Sequence, residues 1–223
     1  MSRVCEAEGM DTLAACFNYQ SIVSKHARFV DRPFVREVLR KSASAQTLLD
    51  VGTGPGLIPL SLGKARPDLA IHAVDLSANM LALAQLEACE QGVDDRIVFE
   101  QADAKALPYP DDSFDGVICH AMLHHLADPT VALKEMVRVL RPGGRMLVKD
   151  IRRPPAWAIP LCVTLLGGAM GYSRDEKGIY EESLRAAYTA DEIRAVVRGT
   201  PGLAGASVRR TFPAHFTIEC TKN

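Results

Sequence analysis

The run Leu48-Leu49-Asp50-Val51-Gly52-Thr53-Gly54-Pro55-Gly56 constrains this chain more than any other stretch. Aliphatic residues closing on an acid read as a short buried strand, the glycines as a tight turn, and the residues from Leu57 as a helix. Glycine at alternate positions lets the backbone pass close to a ligand, because no Cβ intervenes and positive φ is accessible. In an open α/β sheet, such a turn at the carboxyl end of the first strand is where nucleotide-like ligands bind. The spacing separates two ligand classes. A dinucleotide fingerprint, G-x-G-x-x-G, would require glycine at position 57, and that residue is Leu57. The pattern present is D-x-G-x-G-x-G.

The remaining sequence supplies a matching frame. Strand signals at 47–51, 70–75, 96–101, 114–119 and 145–149 alternate with helices. Ser77 is positioned to cap a helix over 78–91, and Asp128-Pro129, an N-cap acid before a first-turn proline, opens another. There Leu133, Met136, Val137 and Leu140 make one apolar stripe, which Arg141-Pro142-Gly143-Gly144 ends. Thr189-Ala190-Asp191-Glu192 is a capping box for a helix through Val197. Strands at 206–212 and 215–221, separated by Pro213-Ala214, can pair only as an antiparallel hairpin. The pattern predicts an α/β fold: a doubly wound, seven-stranded, mostly parallel sheet with a C-terminal antiparallel hairpin. Nothing marks a linker, so residues 1–223 read as one domain, with 11–41 as a helical cap and 152–188 as a lid or substrate insertion.

The 223 residues are 48% hydrophobic, enough for one sizeable core, and the net charge of −1 leaves no basic footprint for nucleic acid. The cysteines are scattered without a C-x-x-C pair, which argues against zinc or a disulfide framework and for a reducing compartment. Residues 1–11 are polar and lack a signal-peptide pattern, so a cytoplasmic location is expected. The uncharged stretch 154–173 is long enough to span a bilayer, but its prolines and glycines disfavour a single span. The strands after it must also rejoin the sheet. It therefore reads as a lid, with Trp157, Leu161 and Leu165 at helical spacing offering an apolar face to an acceptor cavity. A peripheral membrane contact and a homodimer interface are competing uses of that face.

The D-x-G-x-G-x-G run resembles the first motif of the class I S-adenosylmethionine (SAM) methyltransferases. The stretch from Asp103 to Asp115, through Leu107-Pro108-Tyr109-Pro110-Asp111-Asp112-Ser113-Phe114, is similar to that of the small-molecule branch related to the ubiquinone and menaquinone C-methyltransferases. Leu123-His124-His125-Leu126 and Arg138-Val139-Leu140-Arg141-Pro142-Gly143-Gly144 continue the likeness, which covers 45–150, about half the chain. The resemblance implies a Rossmann-like methyltransferase fold, SAM as cofactor, and methyl transfer to a small apolar or aromatic acceptor.

It also implies site residues. Asp50, Gly52, Gly54 and Gly56 would line the amino-acid part of SAM. Asp75, 25 positions after Asp50 at the end of the second strand, is placed to accept from the ribose hydroxyls; its other reading is a helix N-terminal charge. Asp103 and the Ala104 backbone N–H would serve adenine, sandwiched by Leu76 and Met80, unless Asp103 is an ordinary turn acid. Tyr19 would close over the methionine carboxylate, as in relatives, or simply pack an N-terminal helix beside Lys25, His26 and Arg28. His120, ending the fourth strand, should lie by the methionine end. His124 and His125 are the candidate general base or substrate-orienting donor, against a structural reading in which they hold the loop. Lys149 and Asp150 are further base candidates, or else a surface ion pair. No metal is expected on these histidines.

Three classes remain distinct. A methyltransferase leads. A non-catalytic SAM-binding or partner protein keeps the same cofactor residues, and an NAD-dependent oxidoreductase is disfavoured by Leu57 and by the lack of a Tyr-x-x-x-Lys site. His120-Ala121-Met122-Leu123 stands where base amino-methyltransferases carry Asn/Asp-Pro-Pro-Tyr, which argues against a nucleic-acid substrate.

Overall fold

The computed structural model describes residues 3–4, 12–26, 30–211 and 214–223. Seven strands form one sheet in the order β3-β2-β1-β4-β5-β7-β6. They are β1 (Thr47–Val51), β2 (Ala70–Asp75), β3 (Ile97–Gln101), β4 (Phe114–His120), β5 (Leu140–Ile151), β6 (Ser207–Thr211) and β7 (His215–Thr221). The first five pair in parallel, and β7 lies antiparallel between β5 and β6. The expected architecture is therefore present. The strand order reverses between β1 and β4, so the crevice at their carboxyl ends is the natural ligand site.

Side-chain alternation along the strands builds a core on each face. Leu48, Ile71, Ile118 and Leu147 pack with Phe34, Val35 and Val38 of α2 (Arg32–Lys41) and with Ile58, Leu60 and Leu62 of α3 (Leu57–Ala65). Leu49, Val51, Val117, Met146 and Val148 point the other way, against Leu133, Met136 and Val137 of α5 (Thr130–Val139) and Ile193 and Val197 of α8 (Ala190–Gly199). The helix α4 (Ala78–Gln91) has the expected limits, with the Ser77 hydroxyl accepting from Met80 N. The capping box at Thr189 is formed too.

Several boundaries differ from expectation. Helix α5 starts at Thr130, with Pro129 as N-cap; the Asp128 carboxylate still accepts from Thr130 N at 2.9 Å, so it serves the same orphan donors from one position earlier. Helix α5 ends at Val139, ahead of the Pro-Gly-Gly run and with Leu140 already in β5, and the chain stays extended through the run, because Gly143 N donates to Lys222 O and Lys222 N to Gly144 O. That lengthens β5 beyond the expected 145–149. Phe212 and Pro213, at the hairpin turn, lie outside the described residues.

A third cluster sits over the crevice. Region 11–41 forms two helices, α1 (Leu13–His26) and α2. Ile22 of α1 packs with Ile159 and Val163 of α6 (Ile159–Ala169) and with Tyr180 and Leu184 of α7 (Arg174–Ala186). Helices α1 and α7 are pinned by Glu176. It completes a capping box with Ser173 and accepts from Lys25 Nζ through both oxygens at 2.6 Å. The Lys25 ammonium holds the Glu176 carboxyl down at about 2. No helix among the described residues is long and apolar enough to cross a membrane.

Candidate functional site

The glycine turn leaves β1 with Gly52, Gly54 and Gly56 at φ of +73°, +54° and +79°. Gly52 N and Thr53 N both donate to Val74 O, which draws the turn against β2. Asp50 is buried beneath it and accepts from Thr53 Oγ1 at 2.7 Å. Burial pushes its carboxyl up to about 7, against the Thr53 hydrogen bond. Asp75 ties the turn to the start of α4, accepting from Gly54 N at 2.8 Å and Ser77 N at 2.9 Å. Burial raises this carboxyl as well, and those backbone donors oppose the shift.

Two adjoining chambers open at these strand ends. The larger, about 630 Å³, is bordered by Asp75, Leu76, Met80, Asp103 and Ala104. Asp103 Oδ1 accepts from Lys105 N at 2.9 Å. The smaller, about 90 Å³, is bordered by Asp31, His120, His124, Ile151, Tyr180 and His215. Tyr19, Gly52, Gly54, Ala121, Ile179 and Ser183 border both, so the chambers adjoin along these residues. Gly54 is fit for this place, because a Cβ there would meet nothing nearer than Tyr19 at 4.0 Å. That open space over a positive-φ backbone, with a buried acid beside it, is a cradle suited to the amino-acid and ribose parts of SAM.

Gly56 borders neither chamber, unlike its expected partners in the motif. A Cβ there would come within 2.9 Å of Ala84 Cβ in α4 and 3.4 Å of Phe99, so this glycine serves close helix packing. His120 lies in the smaller chamber, tilted on the Phe34 ring at 4.9 Å. His124 and His125 separate: His124 borders the smaller chamber and His125 the larger, their rings 4.0 Å apart.

The sequence reading of Lys149 and Asp150 as a surface ion pair is corrected. Both are buried, and as successive strand residues they face opposite ways. Lys149 Nζ donates to Val30 O at 3.3 Å, and burial lowers its pKa despite the charges of Asp31 and Glu37. Asp150 meets His124: Oδ1 lies 2.7 Å from Nδ1, and Oδ2 accepts from His124 N at 3.2 Å. Burial works to raise the Asp150 carboxyl, but the His124 and His125 rings and the hydrogen bonds prevail and hold it below its ordinary value.

The stripe Trp157, Leu161 and Leu165 is also corrected. These residues are 79%, 52% and 60% exposed and border neither chamber. The opposite face of α6, Ile159 and Val163, is the one that packs inward. Helix α7 supplies the chamber residues instead, through Ile179, Tyr180 and Ser183.

Several neighbours carried no readable signal in the sequence. Ala121 holds φ of +55°, strained for a residue with a Cβ, just after β4, where the chambers adjoin. Arg3 donates to His124 O and Leu126 O, both at 2.6 Å, and its guanidinium lies 4.0 Å over the Tyr188 ring. It thereby steadies the loop that carries both histidines. Lys25 is engaged by Glu176, while Arg28 and the side chain of His26 lie outside the described residues.

Comparison with known proteins identifies the family. Residues 49–148 match the protein-family profile described as "Methyltransferase domain". The demethylmenaquinone methyltransferase of Thermus thermophilus is 34% identical over 170 residues, 73% of this chain and 74% of that protein. The chain thus belongs to the class I SAM-dependent methyltransferases, in the small-molecule branch related to the ubiquinone and menaquinone C-methyltransferases. SAM is the cofactor of that family. The 27-O-demethylrifamycin SV methyltransferase of Amycolatopsis mediterranei is 40% identical over 109 residues, 49% of this chain, which spans only 40% of that relative's length. The fold is shared with a solved SAM-dependent methyltransferase of Aquifex aeolicus, at 20% identity and a TM-score of 0.60, over 83% of this chain and 87% of that one.

Proposed function

We propose that this protein transfers the methyl group of SAM to a small, apolar or aromatic acceptor, with SAM in the larger chamber and the acceptor's reacting end in the smaller. The observation that supports this reading is the shared border of the two chambers at Gly52, Gly54 and Ala121, where the two ligands would meet. Asp75 would receive the ribose hydroxyls, Asp103 and Ala104 N the adenine edge, and Leu76 and Met80 the ring faces, while Tyr19 closes from α1. When bound, SAM supplies an activated methyl on a sulfonium, so the protein's task is alignment and exclusion of water.

The smaller chamber is apolar on most sides, through Ile22, Val30, Ile58, Ile151 and Ile179, which suits an apolar acceptor. His124 is its base in this reading. With Nδ1–H donating to the ionised Asp150, Nε2 is left as the acceptor of a proton from the methylated group, and Asp150 stabilises the resulting imidazolium. His125, on the larger chamber, acts on the cofactor side. The lid role falls to α7 within 152–188.

Calorimetric titration with SAM, S-adenosylhomocysteine and NAD, followed by labelled-methyl transfer to phenolic acceptors, tests the proposal. Binding of the first two without NAD, and label transfer, are expected. His124→Asn should lower turnover by roughly 10²–10⁴-fold at saturating SAM, with SAM affinity retained. Loss of SAM binding in that variant would make His124 structural.

A further inference from the structure

Asp31 occupies the N-cap position of α2, where an aspartate ordinarily accepts from the N–H of the second or third helical residue. It makes no such bond, and Pro33 at the second helical position has no N–H to give. The side chain is nonetheless only 10% exposed, and it borders the smaller chamber. Among the described residues its carboxylate accepts no hydrogen bond. His120 Nε2 stands 3.8 Å from Asp31 Oδ1, beyond hydrogen-bond reach, and Lys149 Nζ donates to Val30 O instead. A mostly buried carboxylate without a hydrogen bond is costly, and only the longer-range attraction of Lys149 and the His120 ring at 3.8 Å offsets that cost here. Burial accordingly pushes its carboxyl up to about 7.

We propose that Asp31 is a specificity-determining residue of the smaller chamber, its carboxylate accepting a hydrogen bond from a hydroxyl substituent of the acceptor other than the methylated atom. This rests on the acceptor reading given above. His124 and Asp31 border the same chamber from different elements, and in this proposal one ring would meet His124 at its reacting position and Asp31 through its second hydroxyl. The nearby Lys149 ammonium balances the Asp31 charge, which favours a neutral hydroxyl over an ammonium group. Such a contact discriminates strongly, because an acceptor lacking the hydroxyl leaves the buried acid unpaired.

The test uses the full chain saturated with S-adenosylhomocysteine and titrated calorimetrically with phenol and with the three benzenediols. At least one diol should bind wild type about tenfold tighter than phenol. Asp31→Ala should bring that diol to the level of phenol in the same variant, and Asp31→Asn should fall between, with S-adenosylhomocysteine affinity unchanged. No diol advantage in wild type, or an advantage that survives Asp31→Ala, overturns the proposal while phenol binding leaves the acceptor reading standing. If neither phenol nor any diol binds, the aromatic-acceptor reading fails and this proposal with it. Retained S-adenosylhomocysteine binding reports that a variant is folded; its loss in both variants would make Asp31 structural and overturn the proposal.

Discussion

Replacing the three glycines of the turn by alanine, one at a time, should produce three different defects. All three hold positive φ, so each alanine incurs the left-handed strain of about 1–2 kcal/mol. At Gly54 that is nearly the whole folding cost, because the new Cβ meets only Tyr19, at 4.0 Å. At Gly52 the Cβ would lie 2.4 Å from Met122 Cγ and 2.7 Å from its Cβ, and at Gly56 2.9 Å from Ala84 Cβ. These contacts involve atoms close to the backbone, which cannot swing away, so overpacking adds about 1–3 kcal/mol. The totals are about 1–2 kcal/mol for Gly54→Ala and about 2–5 kcal/mol for Gly52→Ala and Gly56→Ala. Urea unfolding at constant m-value measures the stability order, and calorimetry measures SAM affinity on the same samples. Gly54→Ala should combine the mildest destabilisation with a clear loss of SAM affinity, since its methyl enters the wall of both chambers. Gly56→Ala should be the reverse. Equal destabilisation across the series, or wild-type SAM affinity in Gly54→Ala, would refute the reasoning.

Asp75→Ala should weaken SAM by about 2–3 kcal/mol in a calorimetric titration, through loss of charge-assisted contacts to the ribose; unchanged affinity would remove Asp75 from the cofactor site. Without ligand, Asp50 and Asp31 should each make stability fall as pH rises from about 4 to 7, because both carboxyls ionise at about 7 when folded and near 3.8 when unfolded. Each favourable contribution is complete below the unfolded value and lost as pH rises through the folded one. Asp50→Asn should remove about half of their combined slope and exceed wild-type stability at pH 8, read by urea unfolding at several pH values; a slope unchanged by the substitution would count against a buried, late-ionising Asp50. Trp157→Ala, just before α6, and Leu161→Ala, on its outward face, should each change stability by no more than about 0.5 kcal/mol; a loss of several kcal/mol would mean that face is covered in the folded protein.

Whatever depends on neighbours a few residues apart could be read from the residues alone. The limits of β1, β2, β7 and α4, the caps at Ser77 and Thr189, and the positive-φ turn all follow from local backbone chemistry. The capping box at Ser173 was legible in the same way, since Ser173 and Glu176 repeat the Thr189 and Glu192 spacing. The motif spacing also identified the cofactor class, because a phosphate-type turn and an amino-acid-type turn need glycines at different offsets. What only the tertiary structure decided depends on which distant surfaces meet. The β4–β5 register sets His120 beside Lys149, and from that register Asp150 turns toward His124, 26 residues away, while Lys149 reaches Val30, 119 residues away. A period of two fixes that adjacent strand residues face apart, but not what waits on either side. The same limit applied to α6, whose apolar residues ring the helix so that the sequence could not say which face would find a partner; packing chose Ile159 and Val163 and left Trp157 in solvent. Asp31 stands at the N-cap of α2, and only the packing shows its carboxylate bordering the chamber instead of capping the helix.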